Sequence, residues 1–150
     1  MSLLPVPHVQ QKRLGECLAA CAAMVLEFLA QPTDYDALIK LLDIKPHGAW
    51  IQNLRRLEKL GVKVVIERGE VGTLRASVED GLPPIAFVNT AELSYWIDAT
   101  VHAVVVVGID DEAIYLNDPA FADAPKCVPV DEFLLAWIDA DQFYALIKLQ

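Results

Sequence analysis

The chain has 150 residues, 55% of them hydrophobic and 22% charged, with 21 acidic against 12 basic side chains and a formal net charge of −9. One domain with a substantial core fits that length, and no window concentrates Lys and Arg enough to neutralise a phosphate backbone, so no nucleic-acid partner is expected. The longest stretches without a charged residue, 1–11, 81–91 and 99–109, hold 11 residues each, too few for the ~20 of a membrane-spanning helix.

The first residues, MSLLPVPHVQQ, have no basic n-region and carry two prolines in a short apolar run. They do not read as a secretory signal, so a cytoplasmic location is expected. Three cysteines, Cys17, Cys21 and Cys127, are an odd set in such a chain, which leaves at least one free thiol. No internal repeat and no Gly/Ser-rich linker divides the sequence, so residues 1–150 are treated as a single domain.

Residues 1–60 read as helical. The segment Cys17 to Leu29, CLAACAAMVLEFL, has one charged residue, Glu27, so nearly every face is apolar and the helix is expected to be central. Thr33 or Asp34 caps a short helix through Leu42, and Gly48 to Leu60 shows helical spacing before Gly61 stops it. From residue 62 the β-branched and aromatic runs VKVVIE (62–67), PIAFVN (84–89), HAVVVVGI (102–109), AIYLN (113–117) and FYALIKL (143–149) read as strands, with short helices at 71–80 and 131–138. Helices first and strands afterwards predict an α+β fold, an N-terminal helical layer packed on a C-terminal antiparallel sheet. The unalternating VVVV at 104–107 marks a strand covered on both faces in the middle of that sheet.

Cys17 stands where a loop meets the start of the apolar helix. Unpaired N–H groups and the positive end of the helix dipole stabilise a thiolate at such a place, whereas Glu16 beside it opposes one. A free cysteine more often serves as a small buried hydrophobe. His102 opens the buried strand and Asp118 closes the next. A hairpin centred on Asp110 would set the two directly opposite each other, close enough for the carboxylate to fix the imidazole tautomer; a one-residue slip would put them on opposite faces. Gln11, six residues before Cys17, is placed to donate an amide hydrogen to a developing oxyanion, with Gln10 as its competitor. Trp96, in the long connection from Thr90 to Val101, is a candidate lid or specificity wall, and His47 a candidate cleft residue. Cys21 reads as packing, and Cys127 as an incidental thiol in the loop after Pro125.

Taken together, Gln11…Cys17, CLAACAAMVLEFL, PHGAWIQNLRRLEKLG, HAVVVVGID, IYLNDPAF and VDEFLLAWIDADQFYALI resemble the C39-like cysteine peptidases of the papain-like superfamily over most of the chain. The resemblance implies a papain-like fold and a thiol hydrolase acting on a peptide or protein substrate without a cofactor or metal. In it Cys17 is the nucleophile, His102 the general base and acid, Asp118 the residue orienting His102, and Gln11 the oxyanion donor. Family members carry Asp-Cys-Gly where this chain has Glu16-Cys17-Leu18, a departure expected to narrow the approach to the thiol. Members that remove double-glycine leader peptides are usually fused to a transporter, and these residues include no membrane segment. Two alternatives stand beside hydrolysis: a peptide-binding domain of the same fold without turnover, and transglutaminase-like acyl transfer, which uses Cys, His and Asp in the same chain order.

Overall fold

The computed structural model describes residues 2–150. Helix α1 (Cys17–Phe28) is followed by α2 (Tyr35–Leu41) and a 3₁₀ helix (Ile51–Leu60); then come β1 (Val62–Arg68), α3 (Val71–Glu79), β2 (Ile85–Asn89), β3 (Val101–Ile109), β4 (Ala113–Asn117), β5 (Lys126–Pro129), α4 (Val130–Ile138) and β6 (Phe143–Leu149). The six strands form one sheet in the order β1-β6-β2-β3-β4-β5, and every described pairing is antiparallel. No helix among the described residues is long and apolar enough to cross a membrane.

The sheet carries a core on each face. On one side, α1, α2 and the 3₁₀ helix bury Met24, Leu26, Leu38, Leu54 and Leu57 against Val64, Phe87, Val105 and Ile147. On the other, α3 and α4 bury Leu74, Phe133 and Trp137 against Val88, Val104, Val106 and Leu116. Alternate valines of β3 therefore enter different cores, which is why that run lacks a polar face. The helical layer expected from the first 60 residues is present, and α3 and α4 supply a second layer behind the sheet.

Local chemistry explains the elements. Asp34 caps α2, its carboxylate accepting from the Ala37 N–H at 3.1 Å. The 48–60 segment forms a 3₁₀ helix over its last ten residues because Ile51, Leu54, Leu57 and Leu60 recur every third position, the 3₁₀ repeat. Strand β5 lies where a loop was expected, and Cys127 stands exposed on it opposite Tyr115. A four-residue strand at the sheet edge that ends in proline carries too little pattern to be read from sequence.

The β3–β4 register also differs from the hairpin expected around Asp110. The turn takes residues 110–112, with Asp110 Oδ1 accepting from the N–H groups of Glu112 and Ala113 at 2.8 Å each. This turn displaces the pairing by three residues, a bulge between Val106 and Gly108 takes one back, and Val105 pairs with Asn117 rather than with Tyr115. The displacement near the end of the ladder is two residues. Because side chains alternate with period two, that even shift keeps the residues beyond the bulge on their faces, whereas Ile109, on the turn side of it, joins Val104 and Val106.

Candidate active site

Cys17 is the first residue of α1, and no side chain caps the helix there. The N–H groups of its first turn have no carbonyl within the helix to bind and are left for the thiol and whatever approaches it. Cys17 is half-buried and lines a cleft of about 480 Å³ whose opposite wall includes His102. Cys21, one turn further in, is fully buried; loss of solvation, then Cys17 and Asp118, hold its thiol well above the ordinary range.

His102 is 5% exposed and Asp118 is fully buried. His102 Nε2 and Asp118 Oδ1 are 2.7 Å apart, so the ring donates from Nε2 and its Nδ1 edge is the one free to meet the sulfur. The two residues are not directly opposed, as the sequence arithmetic had them. With the observed register, Asp118 falls just past β4 on a diagonal from His102, the even shift having kept both on one face. The Ala120 N–H binds Oδ1 at 3.0 Å and fixes the turn that carries the carboxylate. Burial opposes charge on His102. Hydrogen bonds to Asp118 and Cys17, with the Coulombic attraction of both, outweigh it, and the imidazole pKa is pushed up to about 9. Burial likewise opposes charge on Asp118, but His102, the Ala120 N–H and Tyr95 hold its carboxyl below the usual value. This is the pattern of an imidazole held in its charged form by a buried carboxylate.

The connection from Thr90 to Val101 folds over this pair. The Tyr95 hydroxyl donates to Asp118 Oδ2 at 2.7 Å and the Trp96 indole N–H to the same oxygen at 2.9 Å. Trp96 also lies edge-on to the His102 ring, centroids 4.8 Å apart, and its other side lines the cleft. Sequence reasoning singled out Trp96 as a wall and missed Tyr95. The available signal was its place beside Trp96, a few residues before His102.

Gln11 lines the cleft, whereas Gln10 is exposed. The Gln11 backbone N–H binds Pro119 O at 2.8 Å, tying the extended segment before α1 to the turn after Asp118. Its side-chain Nε2 donates one hydrogen to Arg13 O at 3.1 Å, and its buried Oε1 has no partner among the described residues. Glu16 does not press an unscreened charge on the thiol. It is buried, with Arg13 Nη1 on Oε2 at 2.9 Å and the Tyr35 hydroxyl on Oε1, also at 2.9 Å. Burial works to raise its pKa, but these bonds prevail and the carboxyl stays ionised below the usual range.

Small residues line part of the cleft beside Cys17. Gly15 has φ +84°, and a Cβ there would sit 2.4 Å from Pro46 O, so the chain before Cys17 runs directly against the Pro46–Gly48 backbone. His47, Gly48, Ala49 and Ala103 continue the lining, with Leu14 and Val101 on the rim. Leu18, in place of glycine, lines the cleft but is only 4% exposed, so most of its bulk is absorbed by the core beneath α1.

A central helix that opens on a cysteine and packs against an antiparallel sheet bearing a histidine is a papain-like α+β arrangement. The family model of the peptidase C39 family matches residues 5–140, and the chain belongs to that family. Solved structures share the fold at low identity. A double glycine motif protease from an AMS/PCAT transporter, solved with its leader peptide, is 22% identical at TM-score 0.79, covering 99% of this chain and 95% of its own. A C39-like peptidase from Bacillus anthracis is 20% identical at TM-score 0.78, covering 99% and 98%. The peptidase domain of Streptococcus ComA, a bi-functional ABC transporter of a quorum-sensing pathway, is 18% identical at TM-score 0.78, covering 95% and 98%. A search of curated proteins finds no match.

Proposed function

We propose that the protein is a cysteine peptidase in which Cys17 attacks the scissile carbonyl, His102 moves the proton and Asp118 orients His102. The observation that carries this reading is that Asp118 Oδ1 meets His102 Nε2 at 2.7 Å while His102 and Cys17 line the same open cleft. The sulfur forms a bond to the carbonyl carbon, and the carbonyl π pair moves to oxygen. The Cys17 N–H and the second Nε2 hydrogen of Gln11 are the donors that would hold that oxyanion. As the tetrahedral centre collapses, the C–N bond breaks and the Nδ1 proton of His102 goes to the leaving amine. Water then attacks the thioester, giving its proton to His102, and the thiolate leaves.

Membership of the peptidase C39 family and the relative solved with a leader peptide support a peptide substrate. Gly15, Gly48 and Ala49 keep part of the cleft lining free of bulky side chains. The structural relative solved with a leader peptide processes a double glycine motif, and a Gly-Gly junction is the sequence we propose for cleavage here.

Two measurements test the reading. In the folded protein at neutral pH, Cys17 is expected to alkylate with iodoacetamide faster than exposed Cys127, and Cys21 only on unfolding; His102→Ala should abolish the advantage of Cys17. Peptides with Gly-Gly at the junction should be cut by the wild type and not by Cys17→Ala, and Gly→Leu at either position should suppress cleavage. Equal alkylation of Cys17 and Cys127 would overturn the mechanism, and binding of the peptides without cleavage would mark a peptide-binding domain.

A further inference from the structure

The carboxylate that faces His102 is held from outside the hairpin that bears it. Oδ2 of Asp118 points away from the imidazole and accepts two hydrogen bonds from one loop, from the Tyr95 hydroxyl at 2.7 Å and the Trp96 indole at 2.9 Å. Tyr95 and Trp96 each meet Phe121 edge-on, at 5.3 and 5.4 Å between centroids, so the loop is docked on the turn that follows Asp118. The ammonium of Lys126 covers the outer faces of Tyr95 and Phe121. Tyr95 is absent from the cleft lining. Its hydroxyl serves the carboxylate and nothing on the substrate side.

We infer that Tyr95 is a positioning residue of the hydrolysis: its hydroxyl, with the Trp96 N–H, saturates Oδ2 of Asp118 and so fixes the carboxylate plane with Oδ1 on His102 Nε2. A carboxylate bonded on one oxygen alone can swing about its Cα–Cβ and Cβ–Cγ bonds and lets the ring follow. With both oxygens occupied the imidazole has one orientation, Nδ1 toward the sulfur. The inference rests on the peptidase reading above and assigns the Thr90–Val101 loop a part in orienting the proton-transfer group, beyond walling the cleft. Loss of the Tyr95 donor also makes Asp118 easier to protonate, because that bond is one of those holding its carboxyl low.

The test is the pH dependence of iodoacetamide alkylation of Cys17 in wild type, Tyr95→Phe, Trp96→Phe and Phe121→Leu, with the thermal midpoint of each. Tyr95→Phe keeps the ring and removes the hydroxyl. It is expected to slow alkylation at neutral pH roughly tenfold, the scale of one hydrogen bond to a charged group, and to move the acid limb of the profile to higher pH. Trp96→Phe should do the same through the other donor, and it carries the test should Tyr95→Phe not fold. Phe121→Leu loosens the packing without touching a hydrogen bond, so it should lower the midpoint and leave the acid limb in place. A wild-type profile in the two donor variants, or the same acid-limb shift in Phe121→Leu, overturns the positioning role. A wild-type Cys17 no faster than Cys127 overturns instead the peptidase reading on which it rests.

Discussion

Asp118 reaches His102 at 2.7 Å across the end of a hairpin in which the two residues are not cross-strand partners. The register set by the bulge near Val107 and the turn closed by Ala120 leave the carboxylate facing His102, the second residue of β3. Asp118→Asn keeps the shape and removes the charge that holds the imidazolium. It is expected to lower kcat/KM for a cleaved peptide by about 10²–10⁴-fold, the range of general acid–base contributions. Steady-state kinetics check this, and an unchanged kcat/KM would refute the role.

The raised pKa of His102 makes stability depend on pH in a defined direction. Its value is about 9 in the folded protein against 6.5 for the free side chain. The stabilisation it confers is therefore fully present below about 6.5 and is lost as pH rises through about 9. Thermal midpoints measured across that window should fall more for the wild type than for His102→Ala. In Cys17→Ala, where one of the interactions raising the pKa is gone, NMR titration of the ring should give a midpoint below the wild-type value.

Glu16 works in the opposite direction. Its folded pKa lies below the ordinary 4.5, chiefly because Arg13 and Tyr35 overcome the penalty of burial. Its stabilisation is present above about 4.5 and is lost as pH falls through the folded value. Glu16→Gln should therefore lower the thermal midpoint at neutral pH and narrow its gap to the wild type on acidification. A constant gap would show that the carboxylate charge does not matter.

Two glycines separate backbone freedom from space. Gly15 and Gly61 both have positive φ, +84° and +89°, but an added Cβ meets Pro46 O at 2.4 Å in the first and nothing within 4 Å in the second. Gly61→Ala should cost about 1 kcal/mol, the conformational share alone. Gly15→Ala should cost more, about 2–4 kcal/mol, and should also slow Cys17 alkylation, because the Pro46–Gly48 backbone at the cleft floor must move. Urea unfolding of the two variants decides between these outcomes.

Much of the frame was legible before any coordinates. The alanine-rich apolar run from Cys17 reads as a central helix buried on nearly every face, and VVVV at 104–107 as a strand covered on both. Less was legible where a few residues decide geometry. The Asp110 turn and the bulge near Val107 displaced the register by two, which hydrophobic patterning does not reveal because both registers bury the same residues. The 3₁₀ character of Ile51–Leu60 lies in a three-residue repeat that a helical pattern over so short a segment does not separate from α. Tyr95 carries no periodic signal. A loop side chain acquires meaning from what it touches, and Asp118 lies 23 positions away along the chain.

The sequence by itself determined most of the frame: the N-terminal helical layer, five of the six strands, the burial of α1 and β3, and a thiol and an imidazole near element ends. Those follow from hydrophobic burial and local backbone preference, interactions that each residue carries with it. Only the tertiary structure decided that Asp118 meets His102 by a diagonal, that Tyr95 and Trp96 occupy its second oxygen, and that Arg13 pairs with Glu16 beside the thiol while Tyr35 donates to it. Hydrogen bonds and charges act over a few ångströms and depend on angle, so their partners are settled only when packing has brought distant parts of the chain together.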